Sequence, residues 1–291
     1  MAERTGVIHD LGYRGYGGPR ESTPAIARAL FVIGLKHAYG LGRSGRSKVL
    51  PFLLLTVTLL PALVIVGVLT LVGLSELPFT YGQYPSQFQV LVSLFAAAQA
   101  PVLFSRDLRY RSIVLYAARP LSSTLFALTR WASLAVAILI FTMLPVVVLY
   151  VGGLLAGLDA GEQTPDFLLS LLLQVLLAAM LAGITGVISS VALRRGFAVV
   201  TSIIVLIVGS GIVAIIQGLS GAEGLAHVGE IAGLFSPWAL HNGLSEAWGA
   251  GASNLTPLEG AWPAAYLAVS ALLVAGCLWA LVARFRKVGA R

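Results

Sequence analysis

Long apolar blocks separated by short polar segments make up most of this chain. Six blocks contain no charged residue, and they run over residues 49–74, 88–105, 131–157, 167–193, 196–217 and 264–283. A helix needs about 18–20 apolar residues to cross the roughly 30 Å hydrocarbon layer of a membrane. The pattern predicts an all-α, polytopic membrane protein with six transmembrane helices, of which the second is the shortest.

The segment before the first block has a different pattern. Residues 1–22 are rich in glycine, tyrosine and arginine and lack periodicity, so we expect a mobile cytoplasmic tail. Residues 23–48 begin with Thr-Pro, a typical helix start, and predict an amphipathic interfacial helix with Ile26, Leu30 and Ile33 facing inward. No apolar region typical of a signal peptide lies near the start, so we expect the first block to be a permanent span.

Composition and the placement of charge strengthen this interpretation. The chain of 291 residues is 58% hydrophobic and 11% charged, whereas soluble domains average about 25% charged residues. All 19 basic residues fall in four segments, namely the N-terminal segment, the two loops after blocks two and four, and the C-terminal segment. They are Arg4, Arg14, Arg20, Arg28, Lys36, Arg43, Arg46 and Lys48; Arg106, Arg109, Arg111, Arg119 and Arg130; Arg194 and Arg195; and Arg284, Arg286, Lys287 and Arg291.

The other three loops contain no basic residue. They hold eight of the twelve acidic residues, which are Glu76, Asp159, Glu162, Asp166, Glu223, Glu230, Glu246 and Glu259. By the positive-inside rule, we predict a multi-pass protein of the plasma membrane with both termini in the cytoplasm. The net charge of +7 is explained by this topology and by contact with membrane lipids, so we predict no nucleic-acid partner.

The apolar blocks also limit the source of energy for any transport. No Asp, Glu, Lys, Arg or His lies within a block, and such residues usually mark ion or proton pathways in membranes. The chain also lacks the P-loop pattern for nucleotides and the H-E-x-x-H zinc pattern. An ion-coupled secondary carrier that uses backbone carbonyls stays open as an alternative. A lipid-acting membrane enzyme is a further alternative, with its site in the external segment 218–263, which holds Glu223, His227, Glu230, His241 and Glu246.

One connector differs from the others in length and pattern. Residues 104–130 form a long basic loop whose centre, Ile113 to Tyr116, is apolar and lies between arginines. Apolar anchors flanked by charges are typical of a short helix that binds a groove on a partner protein. A helix on the membrane surface, held by anionic lipid, fits the same residues.

This loop resembles the first cytoplasmic loop of ABC-2-type permeases, the six-span membrane subunits of ABC exporters. The likeness lies in Asp107, the basic pair Arg109 and Arg111, the stretch Ser112 to Leu115, and Ala-Arg-Pro-Leu-Ser over residues 118–122. The family usually has Glu in place of Asp107 and Thr in place of Ser112. Ser-Pro within Phe-Ser-Pro-Trp at 235–238, the segment 23–48, and the actinobacterial-like opening LGYRGYGGPR resemble the family too.

The resemblance implies a function. The chain would be a non-catalytic permease subunit with no cofactor, and cytosolic ATP-binding cassette subunits would bind ATP and Mg. A second copy or a homologous permease would complete the transporter, which would export a hydrophobic or amphipathic drug, lipid or glycoconjugate. The residues expected to couple the permease to the ATPase are Arg106, Asp107, Arg109, Arg111, Ser112, Ile113, Leu115 and Arg119.

Overall fold

A computed structural model describes residues 21–73, 76–105, 121–192, 194–251 and 258–289, and within these ranges every regular element is helical. The helices are α1 (Thr23–Ala38), α2 (Arg46–Val72), α3 (Tyr84–Gln87), α4 (Gln89–Leu103), α5 (Ser123–Leu155), α6 (Ala160–Val191), α7 (Arg195–Ala222), α8 (Ala226–Gly233), α9 (Pro237–Ala247) and α10 (Trp262–Gly289). Helix α7 contains one π-helical segment over Ile204–Val208. The prediction of an all-α protein is confirmed for these residues.

Five helices are long and apolar enough to cross a membrane, namely α2, α5, α6, α7 and α10. In lipid, a helix satisfies every backbone hydrogen-bonding group within its own segment, so these uncharged runs form continuous helices. Helix α4 covers the second apolar block but has only 15 residues. At 1.5 Å per residue it is about 22 Å long and, taken alone, shorter than the hydrocarbon layer.

Helix α4 lies at the centre of the bundle. It packs against α1, α2, α5, α6 and α7, and 11 of its 15 residues are buried. Small residues dominate its middle, with alanine at positions 96, 97, 98 and 100, so neighbouring helices approach it closely. Phe95 stacks on Phe141 of α5 with ring centroids 4.5 Å apart. The protein core is therefore organised around the shortest of the apolar helices.

Short polar signals set the ends of α5 and α6. The Ser122 hydroxyl accepts from the Leu125 amide and begins α5 eight residues before the predicted apolar block. The carboxylate of Asp159 accepts from the Glu162 amide and begins α6. Such side-chain caps satisfy amides that have no partner within the helix. Helices α5 and α6 therefore form the tight antiparallel pair that the short connector predicts.

Helix α1 packs on the bundle through a stripe that includes a glycine. Leu30, Gly34 and Ala38 are buried, and Ile33 is 47% exposed on the surface of the bundle. A β-carbon on Gly34 would come within 2.6 Å of the Ser133 hydroxyl oxygen of α5. The protein-facing stripe continues through glycine and alanine rather than Ile33, because only small residues fit this close approach.

Candidate functional site

The eight residues predicted to couple the chain to an ATPase lie outside the described residues. They are Arg106, Asp107, Arg109, Arg111, Ser112, Ile113, Leu115 and Arg119, all within residues 106–120. The residues on either side of this segment are described, and they are buried. Phe104 and Ser105 precede it, and Leu121 follows it, with 0, 5 and 6% exposure. The structure thus describes the place on the bundle to which the basic loop is attached.

Three phenylalanines pack together at this place, one directly after α4 and one each in α5 and α10. The ring centroid of Phe285, near the end of α10, lies 6.2 Å from that of Phe104 and 5.4 Å from that of Phe126 in α5. All three side chains are at least 97% buried. We call Phe104, Ser105, Leu121, Phe126 and Phe285 the loop base. Phe285 contacts Phe104 on the N-terminal side of the basic loop and Phe126 on its C-terminal side.

Hydrogen bonds join the ends of four helices around the loop base. The Ser105 hydroxyl donates to the Ser189 carbonyl at 2.6 Å, so the start of the basic loop is bonded to the end of α6. Arginines of α10 make two further bonds, one to each of the helices α6 and α5. These are Arg284 Nε to the Ser190 carbonyl at 3.3 Å and Arg286 Nε to the Thr124 hydroxyl at 3.1 Å.

The loop base is surrounded by cations. Arg130, placed by the sequence in the basic loop 104–130, lies instead inside α5, because the Ser122 cap begins that helix earlier. Its side chain is 5% exposed, and its guanidinium carbon lies 5.4 Å from the Phe126 ring centroid. Arg194 and Arg195 follow the end of α6 and are exposed. This end of the bundle is electropositive on the described side chains.

A polar cleft lies at the opposite end of α4. It has a volume of about 370 Å³ and is formed by the segment before α4, the second half of α7, and α9. We call it the polar cleft and define it by its lining residues. They are Gly82, Gln83, Ser86, Gln87, Gln89, Ser210, Ala214, Gln217, Ser236, Trp238, Ala239, Asn242, Ser245 and Gly251.

Hydrogen bonds between helices hold the walls of the polar cleft. The Trp238 indole nitrogen donates to the Ser93 hydroxyl at 3.0 Å, so α9 is fixed against α4. Other bonds cross between α3 and α9, between α9 and α7, and between α7 and α8. They are Ser86 Oγ to Asn242 Oδ1, Ser236 Oγ to Ser210 Oγ at 2.9 Å, and Gln217 Nε2 to the Gly229 carbonyl at 3.2 Å.

Of the lining residues, the sequence singled out only Ser236 and Trp238, within the Phe-Ser-Pro-Trp stretch at 235–238. The segment 218–263 contains the short helices α8 and α9, and α9 is packed into the bundle and not at its surface. Eight of its eleven residues are buried. A usable signal was present in the recurrence of glutamine at 83, 87 and 89, just before a buried helix. Only the fold places these amides opposite α9.

The two histidines of the alternative enzyme site lie in two different places in the structure. His227 Nδ1 lies 2.9 Å from a carboxylate oxygen of Glu230, and both line an open pocket with Glu259. His241 is instead 1% exposed within α9, and its Nε2 donates to the Gly82 carbonyl at 3.3 Å. Burial lowers the pKa of His241 to about 4, and the bond to Gly82 opposes this shift more weakly. His241 is therefore a neutral packing residue beside the polar cleft at pH 7.

No protein-family model matches this chain, and no curated protein is significantly similar to it.

Proposed function

We propose that this chain is the membrane subunit of an ATP-powered exporter of the ABC-2 type. In this proposal, separate cytosolic ATP-binding cassette subunits hydrolyse ATP, and a second permease copy or homologue completes the pathway. The transported molecule is hydrophobic or amphipathic. The protein lies in the plasma membrane and itself catalyses no reaction. The support comes from the bundle of long apolar helices, from the charge distribution and from the sequence of the basic loop.

The proposed topology has six spans with both termini in the cytoplasm. Helix α3, Phe88 and helix α4 form a nearly continuous helical run, which has a bend at Phe88 (φ −109°, ψ 22°). A run of this length reaches about 30 Å at 1.5 Å per residue. It therefore supplies the second span of the proposal, and the basic loop then begins on the same side as the other Lys and Arg residues.

The observation that carries the proposal is the construction of the loop base. A segment that transmits force must be attached firmly at both ends, and Phe285 packs against the chain on both sides of the basic loop. Ser105 is bonded to α6, and Arg286 is bonded to α5. A displacement of the basic loop would therefore move α4, α5, α6 and α10 together, as a change between two helix packings requires.

A separate ATPase is favoured as the source of energy because the spans offer no charged group for an ion gradient. The apolar blocks contain no Asp, Glu, Lys, Arg or His, Arg130 lies in the third turn of α5, and the arginines of α10 lie near its C-terminal end. A group that exploits a proton gradient usually lies within the membrane, facing a partner or a water-filled cavity. ATP-driven closure of a cassette pair on two basic loops would instead shift the bundle between inward-open and outward-open populations.

The test is a charge reversal in the basic loop. Arg109→Glu with Arg111→Glu is compared with wild type after purification of the tagged full chain from membranes of its own host. We expect wild type to copurify with a cassette ATPase and the double variant to lose both the complex and its ATP hydrolysis. Arg194→Glu with Arg195→Glu is the matched control, because these arginines are exposed on the same end of the bundle.

An intact complex with unchanged ATP hydrolysis in the Arg109/Arg111 variant would refute the coupling assignment. Substrate movement in vesicles that contain this chain alone, driven by an ion gradient without ATP, would refute the exporter proposal and favour a secondary carrier. Both outcomes are measured on the same preparations. Equal loss in the control pair would show that general positive charge, and not the basic loop, holds the partner.

A further inference from the structure

The lining of the polar cleft is rich in hydrogen-bonding groups and has no charge. Of its fourteen described residues, four are glutamines, one is asparagine and four are serines, and none is ionisable. Transfer of an ion from water into such a site is costly without an opposite charge. The lining therefore disfavours phosphate, carboxylate and ammonium groups. It suits a neutral ligand that carries several hydroxyl groups, because amides donate and accept within the same side chain.

Part of the hydrogen-bonding capacity of the cleft is unused within the protein. Ser245 is 3% exposed, and its hydroxyl has no hydrogen-bond partner among the described residues. Asn242 accepts from Ser86 through its oxygen, and its amide nitrogen is a donor. Gln217 donates to the Gly229 carbonyl, and its amide oxygen is an acceptor. Buried polar groups normally have partners, so the Ser245 hydroxyl is a candidate contact for a polar molecule in the cleft.

The size and surroundings of the cleft limit the ligand further. A volume of about 370 Å³ lies at the lower end of the range for small-molecule sites. Trp238 also lines the cleft, but it is only 1% exposed and offers a ligand little surface. Next to the lining residues in sequence, Val90 and Ile215 are 49 and 63% exposed. An apolar chain attached to the ligand could lie along these outward faces of α4 and α7.

We propose that the polar cleft binds a neutral, hydroxyl-rich group such as a sugar ring, carried as the headgroup of a lipid. The inference rests on the proposed function, because it assigns the substrate class of the exporter. The headgroup occupies the space between Gln83–Gln89, Gln217 and Asn242–Ser245, and the acyl chains remain in the membrane. The free sugar in water is the other source of the same chemistry.

The experiment measures binding to the full chain in phosphatidylcholine nanodiscs, with no ATPase present. Monoglucosyl diacylglycerol, phosphatidylglycerol or methyl glucoside is added in separate titrations. Native mass spectrometry measures how much of each ligand the protein retains. We expect retention of the glucolipid and not of phosphatidylglycerol, which has an anionic headgroup. Retention of methyl glucoside at similar concentration would support the same site and assign it to free sugar.

Two cleft variants and one control sharpen the result. Ser245→Ala removes the unpartnered hydroxyl and should weaken glucolipid binding about tenfold, the effect of one lost buried hydrogen bond. Gln217→Leu should weaken binding at least as much. Ser270→Ala is the control, since this buried serine bonds to the carbonyl of Tyr266 within α10 and lies outside the lining. Unchanged binding in both cleft variants, or equal retention of phosphatidylglycerol and glucolipid, would overturn the proposal.

Different measurements refute the exporter proposal and the proposal for the polar cleft. Loss of ATPase coupling in the Arg109/Arg111 variant says nothing about nanodisc binding, which needs no partner. If the glucolipid binds at the cleft while no cassette ATPase copurifies with wild type, the cleft assignment stands and the exporter proposal fails. If a cassette ATPase copurifies with wild type and no glucolipid binds, the exporter proposal stands and the cleft assignment fails.

Discussion

The loop base and the polar cleft lie at opposite ends of α4 and are built by different means. At the loop base, three buried phenylalanine rings fill the space between helices, and Ser105 forms a 2.6 Å bond to α6. At the polar cleft, amides and hydroxyls surround about 370 Å³ of space, and Ser245 has no partner among the described residues.

This difference follows from what each packing can do. Close-packed rings lose favourable contacts when one is displaced relative to the others, even by a small amount. The rings and their helices therefore move as one unit. A molecule that supplies hydrogen-bond partners for the unpaired groups of a cleft is bound more tightly, because it forms those hydrogen bonds. This contrast is the basis of our two proposals, that one end of the bundle transmits motion and that the other binds a ligand. Four measurements test this contrast, from the largest expected effect to the smallest.

The largest effect should come from the loop base. Phe285→Ala removes the ring that joins Phe104 to Phe126, and we expect a loss of about 3–5 kcal/mol in unfolding free energy because a cavity remains. Chemical unfolding in detergent micelles measures this loss. Trp279→Ala is the control on the same helix, since that side chain is 75% exposed. Equal losses in the two variants would contradict ring packing at the loop base.

A smaller loss is expected where backbones approach closely beside the polar cleft. A methyl group on Gly233 of α8 would overlap the Tyr266 hydroxyl, which donates to the Glu230 carbonyl. Gly233→Ala should therefore cost about 1–3 kcal/mol through displaced helices. Gly67→Ala in α2 meets no atom within 4 Å and should leave stability unchanged or slightly raised. If both substitutions were neutral in thermal melting, the close contact would not exist.

His241 should make the cleft end sensitive to acid. Its folded pKa is lowered from 6.5 to about 4, so the unfolded chain binds the proton first as the pH falls. Stability should be constant above about pH 6.5 and decrease below it, by about 2 kcal/mol at about pH 5. Melting of wild type and His241→Gln across this range checks the sign. A wild-type slope no steeper than that of the variant would show that other groups control the acid response.

The smallest effects come from a pair of serines and compare the two regions directly. Ser105→Ala breaks the bond to the Ser189 carbonyl and should cost about 1 kcal/mol. Ser245→Ala removes a hydroxyl without a partner among the described residues and should change stability by less than about 0.5 kcal/mol. Chemical unfolding of both proteins in the same detergent measures the difference. A reversed order would mean that the cleft hydroxyl is already satisfied within the protein.

One prediction from the sequence failed, and one close contact gave no sequence signal, both for local physical reasons. The contact is that of Gly34, which allows the close approach of α1 to α5. Arg130 was expected in a loop because it is charged, but the Ser122 cap extends α5 past it. Hydropathy describes the average environment of a segment. It does not show where a cap begins a helix or where two backbones approach closely.

The segment 218–263 contains the short helix α9, whose burial in the bundle no pattern in the sequence predicted. Its burial depends on Trp238, whose indole donates to Ser93 in a helix 145 residues earlier in the chain. Such a distant bond leaves no local signal in either segment.

The sequence alone determined the helical class, the positions of the long apolar helices and the separation of basic from acidic loops. These properties depend on local composition, because each spanning helix satisfies its own backbone in lipid. Only the tertiary structure decided that the two sides of the basic loop meet at Phe285 and that glutamines before α4 face α9. Both juxtapositions join residues distant along the chain, so they are fixed by how helices pack and not by the pattern within any one of them.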